Sequence, residues 1–336
     1  MRSLSGVQPS GRLHLGNYYG ALRQFLELQE QGEALYFLAD LHALTTVRDG
    51  QRLRALTQEA AAGYLALGLD PARAILFRQS DVPEVCELYW ILGTVVPLSN
   101  LERAHGYKDK LARGLGADMG LFAYPVLMAA DILIYGSDVV PVGRDQLQHL
   151  EFTRDWATKF NAAFVPGYDP ADPEGREPGH APGILKLPRP HVREEAALVP
   201  GVDGEKMSKS RGNAIELFAD DAEVRKRIMG IKTDSTPVDA PKPADGALHQ
   251  LLRLVLPAAE FREVDRSWRA GGVGYGEYKK RLLDGFHAAF DGARGRYRER
   301  VQDPAGVERV LRDGAQRARA LAAPVIGAVR RAVGLA

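Results

Sequence analysis

The chain predicts an α/β fold, a parallel sheet with crossover helices, followed by a helical domain. Three observations carry this. Over residues 1 to about 150, apolar runs of strand length alternate with stretches of helical periodicity. From Pro166 to Pro200 the texture becomes irregular, with prolines at 166, 170, 173, 178, 182, 188, 190 and 200. Beyond about residue 220 only helical patterns recur. The boundary is expected near residue 218, giving an α/β unit over 1–218 and a helical unit over 219–336.

The elements follow in order. Residues 3–8 form a short, mildly apolar opening strand. Ser10-Gly11 makes a turn, after which Tyr18, Leu22, Phe25 and Leu26 recur at helical spacing. Residues 34–39 form a buried strand ending at Asp40-Leu41-His42. Residues 51–67 are helical, with Gly68 placed as a left-handed cap and Pro71 just beyond. Residues 74–77 and 138–142 are further strands, the latter leading through Gly143-Arg144-Asp145 into a helix over about 145–160. Residues 196–199 read as the last strand. Asp220-Asp221 then caps helices expected over 222–229, 246–256, 276–290, 304–322 and 324–333. Such alternation implies right-handed crossovers and ligands at the carboxyl ends of the strands.

Bulk properties bound the function. With 336 residues, 45% hydrophobic content and no low-complexity tract, the chain can bury sizeable cores. A net charge of +1 excludes a generally basic nucleic-acid binder, so any RNA contact must come from local patches. The single Cys86 excludes a disulfide framework and a cysteine-based zinc site. No signal peptide and no membrane-length apolar segment is evident, so a cytoplasmic protein is expected, with no membrane partner.

The most informative stretch is Lys206-Met207-Ser208-Lys209-Ser210. The chain has only eleven lysines, and two stand here, three apart, with hydroxyls between and after them and glycines at 204 and 212. Flexible point charges with hydroxyl donors on a hinged loop suit a polyphosphate. Near the other end, Pro9-Ser10-Gly11-Arg12-Leu13-His14-Leu15-Gly16-Asn17 delivers His14 and Gly16 to a helix N-terminus, where the dipole favours an anion. Either stretch alone could be an ordinary loop. The glycines at 114–116 and 271–276 superficially suggest dinucleotide loops, but neither follows a strand and opens a helix.

Together the two stretches resemble the paired signatures of class I aminoacyl-tRNA synthetases. The likeness extends over Gly6–Gly11, Asn17–Phe25, His42–Thr45, Tyr124–Leu133 and Pro141–Gln146, where the chain resembles the bacterial tryptophanyl-tRNA synthetases. Asp131 lies in an apolar run where a lone carboxylate is costly to bury without a partner. It could cap a helix, pair with an arginine, or accept from a substrate. An indole N–H is purely a donor and needs an acceptor. A phenol would also be satisfied, so Asp131 alone does not separate tryptophan from tyrosine; the surrounding sequence favours tryptophan.

The resemblance implies a Rossmann-like catalytic domain and a two-step ligase reaction: ATP activates L-tryptophan to the adenylate, and transfer RNA for tryptophan then accepts it. It implies an ATP set of Gln8, Pro9, Ser10, Gly16, Asn17, Gly143, Arg144, Asp145, Leu198, Lys206, Met207, Ser208, Lys209 and Ser210. His14, Lys206 and Lys209 are the implied catalytic groups. Asp131, Tyr124, Met128, Gln146 and His42 are the implied tryptophan set, with Tyr124 and Met128 on the helical side of Asp131. Mg²⁺ would come with the nucleotide, no protein-held metal is expected, and a homodimer is implied. A site shaped to tryptophan needs no proofreading insertion. Arg144, Ala104-His105 and the long proline-rich connection depart from the family pattern. A tyrosyl enzyme, or a paralogue that forms the adenylate but serves an accessory RNA- or protein-binding role, remains an alternative. The arginines at 294, 296, 298, 300, 309, 312, 317, 319, 330 and 331 could be surface salt bridges or anticodon contacts.

Overall fold

A computed structural model describes residues 1–9, 11–103, 118–143, 146–191 and 199–335. Five strands, β1 (Arg2–Val7), β2 (Glu33–Leu38), β3 (Ala74–Arg78), β4 (Val139–Pro141) and β5 (Arg189–His191), form one sheet in the order β3-β2-β1-β4-β5. Every pairing is parallel, with Leu4 opposite Leu35 and Tyr36 opposite Leu76. The chain therefore steps outward from β1 to β3, then returns to the other side of β1. That reversal opens a crevice at the carboxyl ends of β1 and β4.

The first four strands lie where the apolar runs place them. A fifth was expected over 196–199. The fifth strand described, β5, instead forms at Arg189–His191, inside the proline-rich connection where none was expected; Val199 lies in no strand and its carbonyl accepts the Met207 N–H at 2.9 Å. Residues 196–198 fall outside the described residues. Among the described residues β5 is an edge strand, pairing on one side only, so Pro190 can sit in it without losing a ladder bond.

The helices are α1 (Leu15–Asn17), continued by a π turn (Tyr18–Leu22) into α2 (Arg23–Leu28); then α3 (Asp40–Ala43), α4 (Gly50–Ala66), α5 (Glu84–Gly93), α6 (Leu98–Glu102), α7 (Met119–Leu133) and α8 (Leu147–Phe164). After the lysine loop come α9 (Asp221–Met229), α10 (Ala247–Val255), α11 (Ala258–Ala270), α12 (Tyr275–Gln302) and α13 (Pro304–Val333). Helix α11 was not expected, although Val264 and Trp268 form its buried i, i+4 pair. Helix α13 passes through Pro324, where two helices were expected. Its buried residues Leu311, Ala315, Ala318, Ala322, Ile326 and Val329 hold it against the body, and this packing outweighs the local cost of the proline.

Alternation along β2 divides the core. Ala34, Tyr36 and Leu38 face one side with Phe25, Tyr64, Leu217, Leu251, Leu282 and Phe286. Leu35 and Phe37 face the other with Val85, Leu88, Leu133, Trp156 and Ala318. The first of these cores runs without a break across residue 218. On the second side α13 returns over β3 so closely that a Cβ on Gly314 would lie 1.9 Å from the Leu76 carbonyl oxygen. Among the described residues no helix is long and apolar enough to cross a membrane.

Candidate active site

The N-terminal motif leaves β1 at its carboxyl end. Gly11 takes φ +123°, a backbone that L side chains rarely adopt. His14 is extended and opens α1, its backbone N–H donating to Asn17 Oδ1 at 3.1 Å. Leu15 N–H donates to the Ile215 carbonyl at 3.0 Å, and Leu217 N–H to the Leu13 carbonyl at 2.9 Å. The segment after the lysine loop thus runs antiparallel to the segment before α1. The two signatures, some 190 residues apart in the chain, form one structural unit.

Met207 pins them. It is buried, and its sulfur accepts the Gly16 N–H at 3.3 Å, so the second backbone donor of α1 is engaged as well as the first. Lys209 reaches across the Gly11 turn, with Nζ 2.8 Å from the position a Cβ would occupy there. Burial lowers the Lys209 pKa to about 8, against the opposing pull of Glu216 and Glu59. Burial, and then the Lys209 charge, lowers His14 to about 4. His14 is therefore a neutral imidazole at physiological pH, with Nδ1 buried and without a hydrogen-bond partner among the described residues. A buried ring nitrogen and a desolvated ammonium side by side are both poised for an anionic ligand.

The loop itself is held by Asn213, which the sequence reading passed over. Asn213 Oδ1 accepts from the Ser208 N–H at 2.8 Å, and Nδ2 donates to Asp203 Oδ1 at 2.7 Å and the Lys206 carbonyl at 3.2 Å. Ser208 and Ser210 share a hydroxyl–hydroxyl bond of 2.8 Å. Lys206 is exposed.

The crevice at the topological switch encloses a cavity of about 660 Å³. Gly6, Val7 and Gln8 from the end of β1, and Val140, Pro141, Val142 and Gly143 from the end of β4, form its two walls. Asn17 and Gln24 close one side, and Phe37, His42, Tyr124, Met128 and Asp131 the other. His14, Lys206 and Lys209 do not line it. His14 adjoins its Asn17 end, because the Asn17 side chain accepts the His14 N–H.

Asp131, only 1% exposed, is the floor of this cavity. Its Oδ2 lies 3.0 Å from His42 Nε2, and Gln79 Nε2 donates to Oδ1 and Oδ2 at 2.9 and 2.8 Å. Burial pushes its carboxyl pKa up, while the His42 and Gln79 hydrogen bonds pull it back. Tyr124 and Met128 do stand on the cavity side of α7 with Asp131, and the Tyr124 hydroxyl meets His149 Nε2 at 2.8 Å. Gln146 lines the cavity after its N–H closes a turn onto the Gly143 carbonyl at 3.0 Å. His42 lines it too. Pro9 is buried and does not line it. Ser10, Arg144, Asp145 and Leu198 lie outside the described residues, as do Ala104-His105.

Gln79 and His149 were missed in the sequence. Gln79 had one usable signal: it is the first polar uncharged residue after β3, at the sheet edge where ligands bind. Among the described residues no cluster of three or more His, Cys, Asp or Glu could hold a metal ion.

Residues 1–284 match the family model described as tRNA synthetases class I (W and Y). The chain is 49% identical to the tryptophan–tRNA ligase of Rhodopirellula baltica and 44% identical to that of Fusobacterium nucleatum, over 98% or more of each chain. It matches the crystal structure of the Campylobacter jejuni tryptophanyl-tRNA synthetase complexed with ADP and tryptophan at TM-score 0.88 and 42% identity, over 100% of both chains. The tyrosyl-tRNA synthetase of Archaeoglobus fulgidus, at TM-score 0.62 and 22% identity over 88% of this chain and 89% of its own, shares the fold. Paired signatures docked on each other, a buried acceptor in a cavity at the switch point, and full-length likeness to these enzymes converge: the chain belongs to the class I aminoacyl-tRNA synthetases, among the tryptophan–tRNA ligases.

Proposed function

We propose that this chain activates L-tryptophan with ATP, releasing pyrophosphate, and transfers the tryptophanyl group to tryptophan transfer RNA. The observation that carries this reading is Asp131, a buried carboxylate at the floor of an aromatic-lined cavity continuous with the motif at Asn17. Phe37, Tyr124 and Met128 supply apolar walls for an indole, and Asp131 accepts its N–H. Gln146 serves the α-amino or carboxylate group.

The tryptophan carboxylate attacks the α-phosphorus of ATP, the bond to pyrophosphate breaks, and no protein atom becomes covalently bound. Catalysis is positioning with charge stabilisation. Gln8, Pro9, Ser10, Gly16 and Asn17, with Gly143, Arg144, Asp145 and Leu198, hold the nucleotide. His14 donates to a phosphate oxygen, and Lys206 and Lys209 meet charge on the departing pyrophosphate, flanked by Ser208 and Ser210. Met207 acts by pinning the loop. Mg²⁺ arrives on the phosphates and neutralises part of their charge.

We assign catalysis to residues 1–218 and transfer RNA contact to 219–336. Several of the arginines are committed to the fold: Arg294 bonds the Ala219 carbonyl and Asp291, Arg319 pairs with Glu84, and Arg330 with Glu87. Arg298, Arg300 and Arg331 are exposed without an ion pair among the described residues, which favours them for phosphate contact. A cytoplasmic homodimer completes the proposal. Exchange of labelled pyrophosphate into ATP tests it: exchange driven by tryptophan supports the reading, and exchange driven by tyrosine overturns it.

A further inference from the structure

We propose that Gln79 is the positioning residue that keeps Asp131 an acceptor, and so gives the site its demand for a substrate N–H. The proposal rests on the indole role of Asp131. Gln79 begins the turn Gln79–Asp81 after β3, facing the first residues of α3 across the carboxyl edge of the sheet. Its Oε1 accepts backbone N–H groups from Leu41 at 3.2 Å and His42 at 3.4 Å. Those two donors fix the amide: turned over, its NH₂ would face N–H groups that cannot accept. Nε2 is therefore committed toward Asp131, where it reaches both carboxylate oxygens. The neighbouring Ser80 ties the same turn to α3, its N–H donating to Asp40 Oδ1 at 3.0 Å.

The consequence is chemical. A carboxylate buried to 1% exposure keeps its charge only when donors surround it. Once protonated it would carry an O–H on one oxygen and become a weaker acceptor for an N–H. Gln79 is 1% exposed and supplies only N–H on that side, so it holds Asp131 in the ionised, acceptor-only form and fixes the plane of the carboxylate. It lines no part of the cavity and touches no substrate, so its whole effect passes through Asp131.

The test compares two substrates on the full-length protein: tryptophan, and the isosteric β-(3-benzothienyl)alanine, which carries sulfur in place of N–H. Gln79→Met removes the donor at similar length. Gln79→Glu retains the acceptor toward Leu41 and His42 but offers Asp131 no N–H of its own. Both variants are expected to lower kcat/KM for tryptophan in pyrophosphate exchange roughly 10- to 100-fold, as for loss of a hydrogen bond to a charged group. The benzothienyl substrate should change less than about threefold, so the preference for N–H collapses. An equal loss on both substrates would mark a merely structural role and overturn the proposal. Asp131→Leu, which leaves no acceptor at that position, separates the layers. If it too leaves the preference intact, the indole role of Asp131 fails and the proposal with it. If it abolishes the preference while both Gln79 variants keep it, the role of Gln79 alone fails.

Discussion

Replacing Lys209 with alanine probes the contact between the two signatures. In the folded chain the Lys209 pKa is lowered from 10.5 to about 8, mainly by burial. One unit corresponds to about 1.4 kcal/mol, so the fold withholds at most about 3 kcal/mol from the ammonium, and less where water still reaches it. In the proposed mechanism an arriving pyrophosphate charge would return that stabilisation. Removal of a preorganised donor of this kind costs about 3–4 kcal/mol of barrier, a 100- to 1,000-fold loss. Lys209→Ala should therefore slow adenylate formation by that factor in a rapid-quench burst, while tryptophan affinity shifts less than about twofold. The ammonium loses its proton as pH rises through about 8, so kcat/KM for ATP in the unaltered enzyme should fall above that point. An unchanged burst rate in Lys209→Ala would refute the assignment.

Three other predictions follow from the same geometry. His14 is held near 4 in the fold against 6.5 unfolded, so below 6.5 the unfolded chain binds the extra proton and stability is lost as pH falls toward 4; denaturant unfolding at pH 7 and pH 5 should show about 2 kcal/mol of loss that His14→Asn does not show. Asn213→Ala removes the three bonds that shape the lysine loop, and stopped-flow adenylation should slow roughly tenfold; because Asn213 is buried, Tm should fall as well. Gly314→Ala drives a methyl into the Leu76 carbonyl; the clash, about 1–3 kcal/mol or more, exceeds the roughly 1 kcal/mol that alanine gains in helix propensity, so Tm should fall by several degrees in calorimetry.

The parts of the site legible in the sequence were those whose chemistry is local. Two lysines in a glycine-flanked loop, a histidine at a helix start and an aspartate in an apolar run each stand out within ten residues. What stayed hidden depends on contacts across the chain. Gln79 is an unremarked polar residue until the sheet brings it to Asp131, and Asn213 matters only because the loop folds back on it. Met207 reads as a spacer between lysines, yet its sulfur takes the Gly16 N–H and joins the two motifs. Strand β5 stayed hidden for a related reason: Arg189–His191 has no apolar alternation, and its pairing is set by the edge of β4. Arg319 and Arg330 looked available for RNA, but Glu84 and Glu87 on α5 claim them once α13 packs against the body.

The most direct test of the central claim is aminoacylation of purified tryptophan transfer RNA by the full chain, with ATP–pyrophosphate exchange followed in parallel. The expected result is tryptophan-dependent exchange together with stable attachment of labelled tryptophan to that transfer RNA. Exchange with tryptophan but no charged transfer RNA would contradict it.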